Sequence, residues 1–361
     1  MGPKAKIYIQ NLANNFSIIK KTVRNAMVFP VVKANAYGHG ITKVAIELEK
    51  RGADGFCVAH FEEIKALLDS DIKSDILYLG GFVETPEFLD GYSNIIYTIS
   101  SLSDLAALSN GCKKRAHVKI DTGMNRLGVK SIDEVIKIIE ESLKTDAVSI
   151  EGFYSHFASS DDLSSDFYKR QLDLFLSHRK KIISRFGSDF IFHIANSSAI
   201  FRDSSTHFNL VRPGLSLYGA RTEAIPDAGL RPAMELKSYI VHTKSVACGE
   251  SIGYNQKFIA KQDLMVGIVQ IGYADGIFTD FMNVGEVVFD DKKLPIIGKV
   301  SMDTVCIDIT SENVKRGDSV SIWGDPSKTI TLESLSKKYN RIPYEYLTAI
   351  SERVRKEYIY E

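Results

Sequence analysis

Short apolar runs alternate with segments of helical period from about residue 28 to residue 214. The runs are rich in β-branched and aromatic residues, which favours strands, whereas the intervening segments repeat apolar residues at the spacing of a helix with one buried face. Strands that alternate with helices form a parallel sheet, and eight such strands close a (β/α)8 barrel. The predicted strands cover residues 27–32, 55–59, 76–79, 95–99, 116–120, 150–154, 190–194 and 208–211.

The pattern changes after Arg231 and Pro232. Strand-like runs separated by Gly and Asp turns follow, and one stretch, residues 331–340, has the apolar spacing of a helix. No repeat or flexible linker separates the two halves, so we expect them to pack together. The sequence therefore predicts an α/β fold, with a barrel over residues 1–231 and a mainly β domain over residues 232–361. Its predicted strands cover residues 264–271, 286–289, 304–309 and 319–323.

The composition is that of an ordinary globular protein. The chain has 361 residues, 44% of them hydrophobic, and its 45 Lys and Arg balance 45 Asp and Glu. Zero net charge supplies no long-range attraction to nucleic acid or to an anionic membrane, so we expect neither partner and predict a small-molecule ligand. No apolar run reaches the length of a membrane span, and no apolar signal segment opens the chain.

The cysteines are far apart, without CxxC or His/Cys ligand spacing. Such spacing favours neither a disulfide framework nor a zinc site. We therefore expect reduced thiols, no metal and a cytoplasmic location. The cysteines are Cys57, Cys112, Cys248 and Cys306.

Polar residues at the ends of the predicted strands are the first candidates for chemistry, because barrel enzymes build their sites at the carboxyl ends of the strands. Lys33 ends the first strand, and Lys119 and Asp121 end the fifth. A solvated or salt-bridged cap would explain Lys33 taken alone, and an internal ion pair would explain Lys119 and Asp121. Arg126 follows in a loop with flanking glycines, which favours contact with a ligand.

The loops after strands seven and eight are where barrels commonly bind phosphate. Asn196 and Ser197 open the first of these loops, and Arg212 and Gly214 open the second. A simple helix N-cap would explain Asn196 and Ser197 equally well. A strand-end lysine that faces an anion site predicts a Schiff base with a phosphorylated aldehyde, pyridoxal 5'-phosphate (PLP), although a simple aldolase offers the same parts.

Six motifs resemble those of the alanine racemase family and occur in the same order. They cover residues 31–40 around Lys33, 121–128, 155–157, 212–219, 272–276 and 301–303. The resemblance runs over nearly the whole chain, and several motifs in one order are far more specific than any single motif. It implies a PLP-binding barrel followed by a β domain, which agrees with the order predicted from the hydrophobic pattern.

The resemblance also implies a role for each matching residue. Lys33 holds PLP and is the base for the D-enantiomer, while Tyr273 is the opposing base for the L-enantiomer. A tyrosine is a poor base at neutral pH because its pKa is about 10, so nearby cations must stabilise its phenolate form. In the family, His156 links Tyr273 to the cation Arg212. Arg212 contacts the pyridine nitrogen, which stays unprotonated because a guanidinium only donates. The other matches are phosphate contacts at Tyr37, Ser197, Gly214, Leu215 and Tyr344, and substrate-carboxylate contacts at Arg126 and the Met302 backbone.

Three further properties follow from the resemblance. Lys119 matches a lysine that is often N-carbamylated, which would turn a cation into an anion able to orient Arg126. The β domain of one subunit closes over the barrel of the other, so Tyr273 and Met302 serve the partner of a homodimer with composite active sites. The implied reaction interconverts L-alanine and D-alanine and supplies D-alanine for cell-wall peptidoglycan.

The chain departs from the family pattern at a few positions. Residues 277–279 read Ile-Phe-Thr where many members have an aromatic residue and then an arginine, Asn125 replaces a frequent glycine, and residues 353–356 lack a usual proline. These changes bear on substrate breadth, which leaves a broader amino-acid racemase or a serine racemase of the same fold as an alternative. A PLP-dependent barrel decarboxylase and a non-catalytic PLP-carrier barrel are weaker alternatives, because the second domain presents Tyr273.

Overall fold

Eight parallel strands form a barrel in the computed structural model, which describes residues 2–109, 112–145, 147–325, 327 and 329–360. After a first strand, β1 (Lys4–Tyr8), the barrel strands are β2 (Met27–Val28), β3 (Gly55–Val58), β4 (Asp75–Tyr78), β5 (Ile95–Ile99), β6 (Lys114–Lys119), β7 (Val148–Tyr154), β8 (Ile191–His193) and β9 (Leu210–Val211).

Backbone pairing closes these eight strands into a ring. Strands β3 to β8 pair in chain order, and β2 pairs with β9. A parallel bridge between Val31 and Cys57 joins β2 to β3. The Asn209 N–H donates to the Phe192 carbonyl over 3.1 Å and so joins β8 to β9. The predicted barrel is confirmed, and each predicted strand coincides with or overlaps an observed one.

Helices pack around the barrel and in the second domain. Helix α3 (Ile41–Lys50) buries one apolar face, formed by Ile41, Val44, Ala45 and Leu48, as the 3.6-residue helical period requires. The predicted helix over 331–340 is α9, in which the Thr331 side chain caps the first turn and Asn340 ends the last in a left-handed conformation. The helices are α1 (Ile9–Val23), α2 (Lys33–Tyr37), which is a single left-handed turn, α3 (Ile41–Lys50), α4 (Phe61–Leu68), α5 (Leu102–Leu108), α6 (Ile132–Thr145), α7 (Phe167–Phe186), α8 (Ser197–Arg202), α9 (Leu332–Tyr339) and α10 (Pro343–Thr348).

The second half of the chain is mainly β, as predicted. An eight-stranded sheet has the order β13-β16-β15-β14-β17-β10-β1-β18, and β11 pairs with β12. The long strand β10 was not among the predicted strands, because its polar residues interrupt any regular apolar alternation. The strands are β10 (Met234–Val246), β11 (Ser251–Ile252), β12 (Phe258–Ile259), β13 (Leu264–Val269), β14 (Glu286–Phe289), β15 (Lys292–Ile297), β16 (Val305–Asp308), β17 (Ser319–Trp323) and β18 (Arg355–Ile359).

Strand β1 lies in the second sheet although it opens the chain. It pairs antiparallel with β10 and parallel with β18, and the Tyr8 hydroxyl donates to the buried Glu235 carboxylate over 2.6 Å. The division at residue 231 therefore does not describe the first strand, which belongs with the β domain. Its partners are more than 200 residues away in the chain, so no local pattern could assign it.

No helix within the described ranges is both long and apolar enough to cross a membrane. Among the same residues, no cluster of three or more His, Cys, Asp or Glu side chains could hold a metal ion.

Candidate active site

A cavity of about 730 Å³ opens at the carboxyl ends of the barrel strands. Its size is typical of small-molecule sites, which span roughly 300 to 1,000 Å³. Residues Ile342, Tyr344 and Thr348 of the second domain form part of its wall. Nine of the predicted site residues line it, namely Lys33, Tyr37, Lys119, Arg126, His156, Ser197, Arg212, Gly214 and Tyr344.

Lys33 reaches the cavity from a backbone that is not a regular strand. The predicted strand 27–32 is regular only at β2, because Pro30 has no N–H to donate to a neighbour. The four residues from Ala34 to Tyr37 then have φ between 50° and 54°. A left-handed turn costs roughly 1–2 kcal/mol per residue outside glycine, so the surrounding structure must stabilise this one.

Glu63, which the sequence analysis did not identify, stabilises the left-handed turn. One carboxylate oxygen accepts from the Ala34 N–H at 2.6 Å, and the other accepts from the Ala59 and His60 N–H groups at 2.8 and 3.1 Å. The second pair of bonds caps helix α4. Glu63 stands three residues after the N-cap His60, which is a capping-box position, but its bond to Ala34 is a long-range contact.

Burial in this cavity lowers the pKa of Lys33, and the nearby Arg126 guanidinium lowers it further, whereas Glu63 raises it. A lowered pKa leaves a larger fraction of the amine neutral, and only the neutral amine can attack a carbonyl. The environment of Lys33 therefore favours Schiff-base chemistry over a solvated cap.

Lys119 and Arg126 add two more cations to the same cavity. Burial, and then Arg126, Arg212 and Lys33, lower the pKa of Lys119 to about 8. Among the described residues no ion pair joins Lys119 to Asp121, whose carboxylate instead accepts from the Gly123 and Asn125 N–H groups at 2.9 and 3.0 Å. The internal ion pair is therefore not formed, because Asp121 shapes the loop that leads to Arg126.

Arg212 is buried and its guanidinium is fixed by several acceptors. Its Nη2 donates to the carbonyls of Ser155 and Ile194 at 2.7 and 3.3 Å, and its Nη1 bonds to His193 Nδ1. Because a guanidinium only donates, His193 Nδ1 must accept, and its Nε2 then donates to His117 Nδ1 at 2.9 Å. Burial lowers the pKa of His193 well below its usual value, so the ring stays neutral.

His156 lines the cavity without a hydrogen bond to Arg212 among the described side chains; the guanidinium contacts His193 instead. Burial lowers the pKa of His156 well below its usual value, and Arg212 and Lys119 lower it further. The ring is therefore neutral, and the predicted link from Tyr273 through His156 to Arg212 stays a prediction.

Ser197 and Gly214 bring the two predicted phosphate loops together. The Ser197 hydroxyl accepts from the Gly214 and Ser216 N–H groups at 2.9 and 3.1 Å. A Cβ on Gly214 would lie 2.7 Å from the Tyr37 hydroxyl, so a side chain at this position would displace that hydroxyl. Asn196 caps helix α8 by accepting from the Ala199 N–H at 3.1 Å, which is the N-cap arrangement that the sequence left open.

Tyr37 and Tyr344 bring both domains to this end of the cavity. Their ring centroids lie 5.5 Å apart. Burial raises the pKa of Tyr37 well above its usual value and that of Tyr344 to about 12, so both hydroxyls remain donors. Leu215, the neighbour of Gly214, is buried and is not among the described residues that line the cavity.

Tyr273 and Met302 lie on the second domain and do not line the cavity of the described chain. Their side chains are 46% and 51% exposed. The two turns that hold them touch, because the Ala274 N–H donates to the Met302 carbonyl over 3.1 Å. The structure thus brings these two predicted residues together, but on a separate surface.

Two family models match the chain, those of the alanine racemase N-terminal domain over residues 7–222 and the alanine racemase C-terminal domain over residues 233–358. The chain belongs to the alanine racemase family. This result confirms the family that the six motifs predicted.

Members of the alanine racemase family match over almost their full length. Alanine racemase 2 of Caldanaerobacter subterraneus subsp. tengcongensis is 37% identical over 371 residues, which cover 99% of this chain and 95% of that protein. The structure of alanine racemase from Streptomyces lavendulae superposes with a TM-score of 0.93 at 28% identity, covering 99% of this chain and 97% of that chain. The structure of alanine racemase from Bartonella henselae, solved with covalently bound pyridoxal phosphate, superposes with a TM-score of 0.88 at 30% identity. The match covers 99% of this chain and 100% of that chain.

The cavity fits the cofactor of the alanine racemase family. At one end, the glycine at position 214 leaves room beside the Tyr37 hydroxyl, where a side chain would collide. Arg126 and Arg212 supply positive charge around the cavity, as a phosphorylated ligand and an amino-acid carboxylate require, and Lys33 supplies the amine. The donor set therefore suits PLP together with a small amino acid.

Proposed function

We propose that this protein interconverts L-alanine and D-alanine with PLP, using Lys33 and Tyr273 as its two bases. Membership of the family makes it a PLP-dependent isomerase. The observation that supports the residue assignment most directly is the partly buried Lys33 amine, of lowered pKa, in one cavity with Arg126 and Arg212.

Lys33 would hold PLP through its Nζ, with the phosphate near Ser197, Gly214, Tyr37 and Tyr344. When bound, PLP withdraws electrons from the substrate Cα and acidifies its proton. The Lys33 amine takes that proton from D-alanine or returns it in the opposite direction. Because racemisation needs removal on one face of Cα and return on the other, a second base must stand opposite.

Tyr273 is the second base and comes from the partner subunit of a homodimer. Two observations support this arrangement: Tyr273 is nearly half exposed, and it lies outside the cavity of its own chain. In a twofold dimer each β domain closes the partner's barrel, so two equivalent composite sites result. His156 orients the Tyr273 hydroxyl in the assembled site.

Arg126 and the backbone of Met302 bind the substrate carboxylate, and carbamylated Lys119 orients Arg126. Carbon dioxide adds to a neutral amine, and the lowered pKa of Lys119 provides one near neutral pH. The modification replaces a cation by an anion, which relieves the repulsion among Lys33, Lys119 and Arg126.

Arg212 limits side reactions. Its guanidinium stays protonated and can only donate, so it would keep a pyridine nitrogen placed against it unprotonated. Arg212 would thereby weaken the electron withdrawal that PLP supplies and favour proton return at Cα over transamination.

The D-alanine product would supply cell-wall peptidoglycan, and the enzyme would act in the cytoplasm. The wide spacing of the four cysteines along the sequence, without a disulfide-like pattern, supports that location. We also propose residues 1–231 and 232–361 as the functional halves, with β1 as an exception; the two family-model ranges support a boundary between 222 and 233.

The test is a chiral assay of both enantiomers of alanine, serine and lysine with PLP present. We expect alanine to be racemised fastest, and borohydride reduction to fix the cofactor to Lys33 in a peptide map. If serine or lysine is racemised faster, alanine is not the preferred substrate. If the reduced cofactor is found on another lysine, the assignment of Lys33 as the PLP-binding residue is wrong.

A further inference from the structure

Two exposed turns of the β domain are held together by their backbones. The Tyr273 N–H donates to the Ser301 carbonyl over 3.0 Å, and the Ala274 N–H donates to the Met302 carbonyl over 3.1 Å. A Cβ on Gly272 would lie 2.3 Å from both of these carbonyl oxygens, so only glycine permits this approach. The proposed base and the proposed carboxylate contact therefore lie on one continuous surface.

Arg353 joins the same two turns through its side chain. Its Nε lies 3.3 Å from Asp275 Oδ1, and its Nη2 donates to Asp303 Oδ1 over 2.6 Å. Asp275 is two residues after Tyr273, and Asp303 directly follows Met302. One planar guanidinium thus bridges one carboxylate from each turn.

Asp275 connects Arg353 to the backbone that precedes Tyr273, because its two carboxylate oxygens face these two groups. Its carboxylate is buried, and its Oδ2 accepts from the Gly272 N–H at 2.9 Å. Its Oδ1 is buried without a hydrogen bond from any described group, so the Arg353 guanidinium is its charge partner. Removal of that partner would leave a buried carboxylate oxygen uncompensated.

Arg353 itself is held between fixed elements. The preceding chain comes from helix α10, the Val354 N–H donates to the Ser351 carbonyl over 3.1 Å, and Val354 is buried. Strand β18 follows at once and pairs with β1. The backbone that carries the Arg353 side chain is therefore fixed relative to the eight-stranded sheet of the β domain.

We propose that Arg353 is a positioning residue that sets the orientation of Tyr273 and Met302 toward the bound substrate. It touches neither substrate nor cofactor and acts through Asp275 and Asp303. The inference rests on the proposed roles of Tyr273 and Met302. The Arg353 and Asp303 side chains are 50% and 60% exposed, so the ion pair between them contributes little to stability. The contact with the buried Asp275 contributes more, so the test needs a readout that a loss of stability alone would not change.

The test compares purified holoenzymes of Arg353→Met, Arg353→Lys and Asp303→Ala with Arg355→Met as the control. Arg355 is exposed, lies two residues away and makes no ion pair within the described residues. We expect kcat/KM to fall about 10- to 100-fold in Arg353→Met, as small misplacements of reacting groups do. Arg353→Lys should recover only part of the lost kcat/KM, because a lysine ammonium cannot bridge two carboxylates as the planar guanidinium does.

The α-deuterium isotope effect on kcat/KM distinguishes a misplaced Tyr273 from a simple loss of folded enzyme. Tyr273 takes the α-proton of L-alanine, whereas Lys33 takes that of D-alanine. If the Tyr273 transfer is slowed, the α-deuterium effect on kcat/KM should rise with L-alanine and fall with D-alanine. A lower content of folded enzyme would change neither effect.

Unchanged isotope effects in folded Arg353→Met would overturn the inference, whatever the melting temperature of the variant. If Arg353→Met does not fold, Asp303→Ala decides in the same way. Tyr273→Phe separates this inference from the proposed function: if that variant keeps full activity, the base assignment itself is wrong, whereas an inactive Tyr273→Phe beside unaffected Arg353 and Asp303 variants refutes the positioning role alone.

Discussion

The cavity at the carboxyl ends of the barrel strands, here called the rim, differs from the Tyr273 turn in burial and in the contacts that shape it. At the rim, burial lowers the pKa of Lys33 and Lys119, and backbone strain after Lys33 is offset by Glu63. The Tyr273 turn is exposed and is shaped by backbone contacts and one bridging arginine. The rim is preorganised within one chain, whereas the turn keeps Tyr273 and Met302 about half exposed on the surface of that chain.

This difference gives the largest expected effect when one base is removed from each region. Lys33→Ala and Tyr273→Phe should each be nearly inactive as homodimers, because each lacks one of the two required bases. Mixed under conditions that permit subunit exchange, they should recover roughly a quarter of wild-type activity, since half the dimers are mixed and one of their two sites is intact. Mass-tagged subunits verify exchange, and no recovery despite exchange would refute the composite site.

Arg212→Glu tests whether the rim also controls the course of the reaction. A carboxylate in place of the guanidinium would favour a protonated pyridine nitrogen, so racemisation should fall about 100-fold or more while transamination rises. Chiral chromatography together with a pyruvate assay measures the two products. An unchanged product ratio with PLP still bound would contradict the proposed role.

Lys119→Met tests the electrostatic cost of the crowded rim. Folding lowers the pKa of Lys119 from 10.5 to about 8. The unfolded chain therefore binds more protons between these values, and wild-type stability should rise as pH rises from about 8 to 10.5. At pH 7 without carbon dioxide, the variant should be more stable by up to about 3 kcal/mol, at about 1.4 kcal/mol per pKa unit.

Urea unfolding at several pH values measures this difference, with the exposed Lys137→Met as the control. The advantage of Lys119→Met should vanish near pH 10.5. Added bicarbonate should stabilise only the wild type if Lys119 is carbamylated. Equal stability of the two proteins at every pH would contradict the predicted cost.

The smallest expected effect is on the left-handed turn behind Lys33. Glu63→Gln replaces one of the two accepting oxygens by an NH2 group that can only donate, so at least one of the three backbone N–H groups loses its acceptor, and the free energy of unfolding should fall by about 1–2 kcal/mol. Glu62→Gln, which removes the same charge from the same helix start, is the matched control. Thermal unfolding compares the two, and an equal loss in both would show that Glu63 does not stabilise the turn.

The sequence by itself determined the barrel, the second domain and the family, because strand–helix alternation and ordered motifs are local properties of the chain. It also identified Lys33 and Arg212, since polar residues that end apolar strands stand out in the pattern. It could not assign β1 to the second sheet, reveal the bond from Glu63 to Ala34, pair Arg212 with His193, or join Arg353 to Asp275. Each of these contacts links residues far apart in the chain, so only the tertiary structure, which fixes distance and burial, decided them.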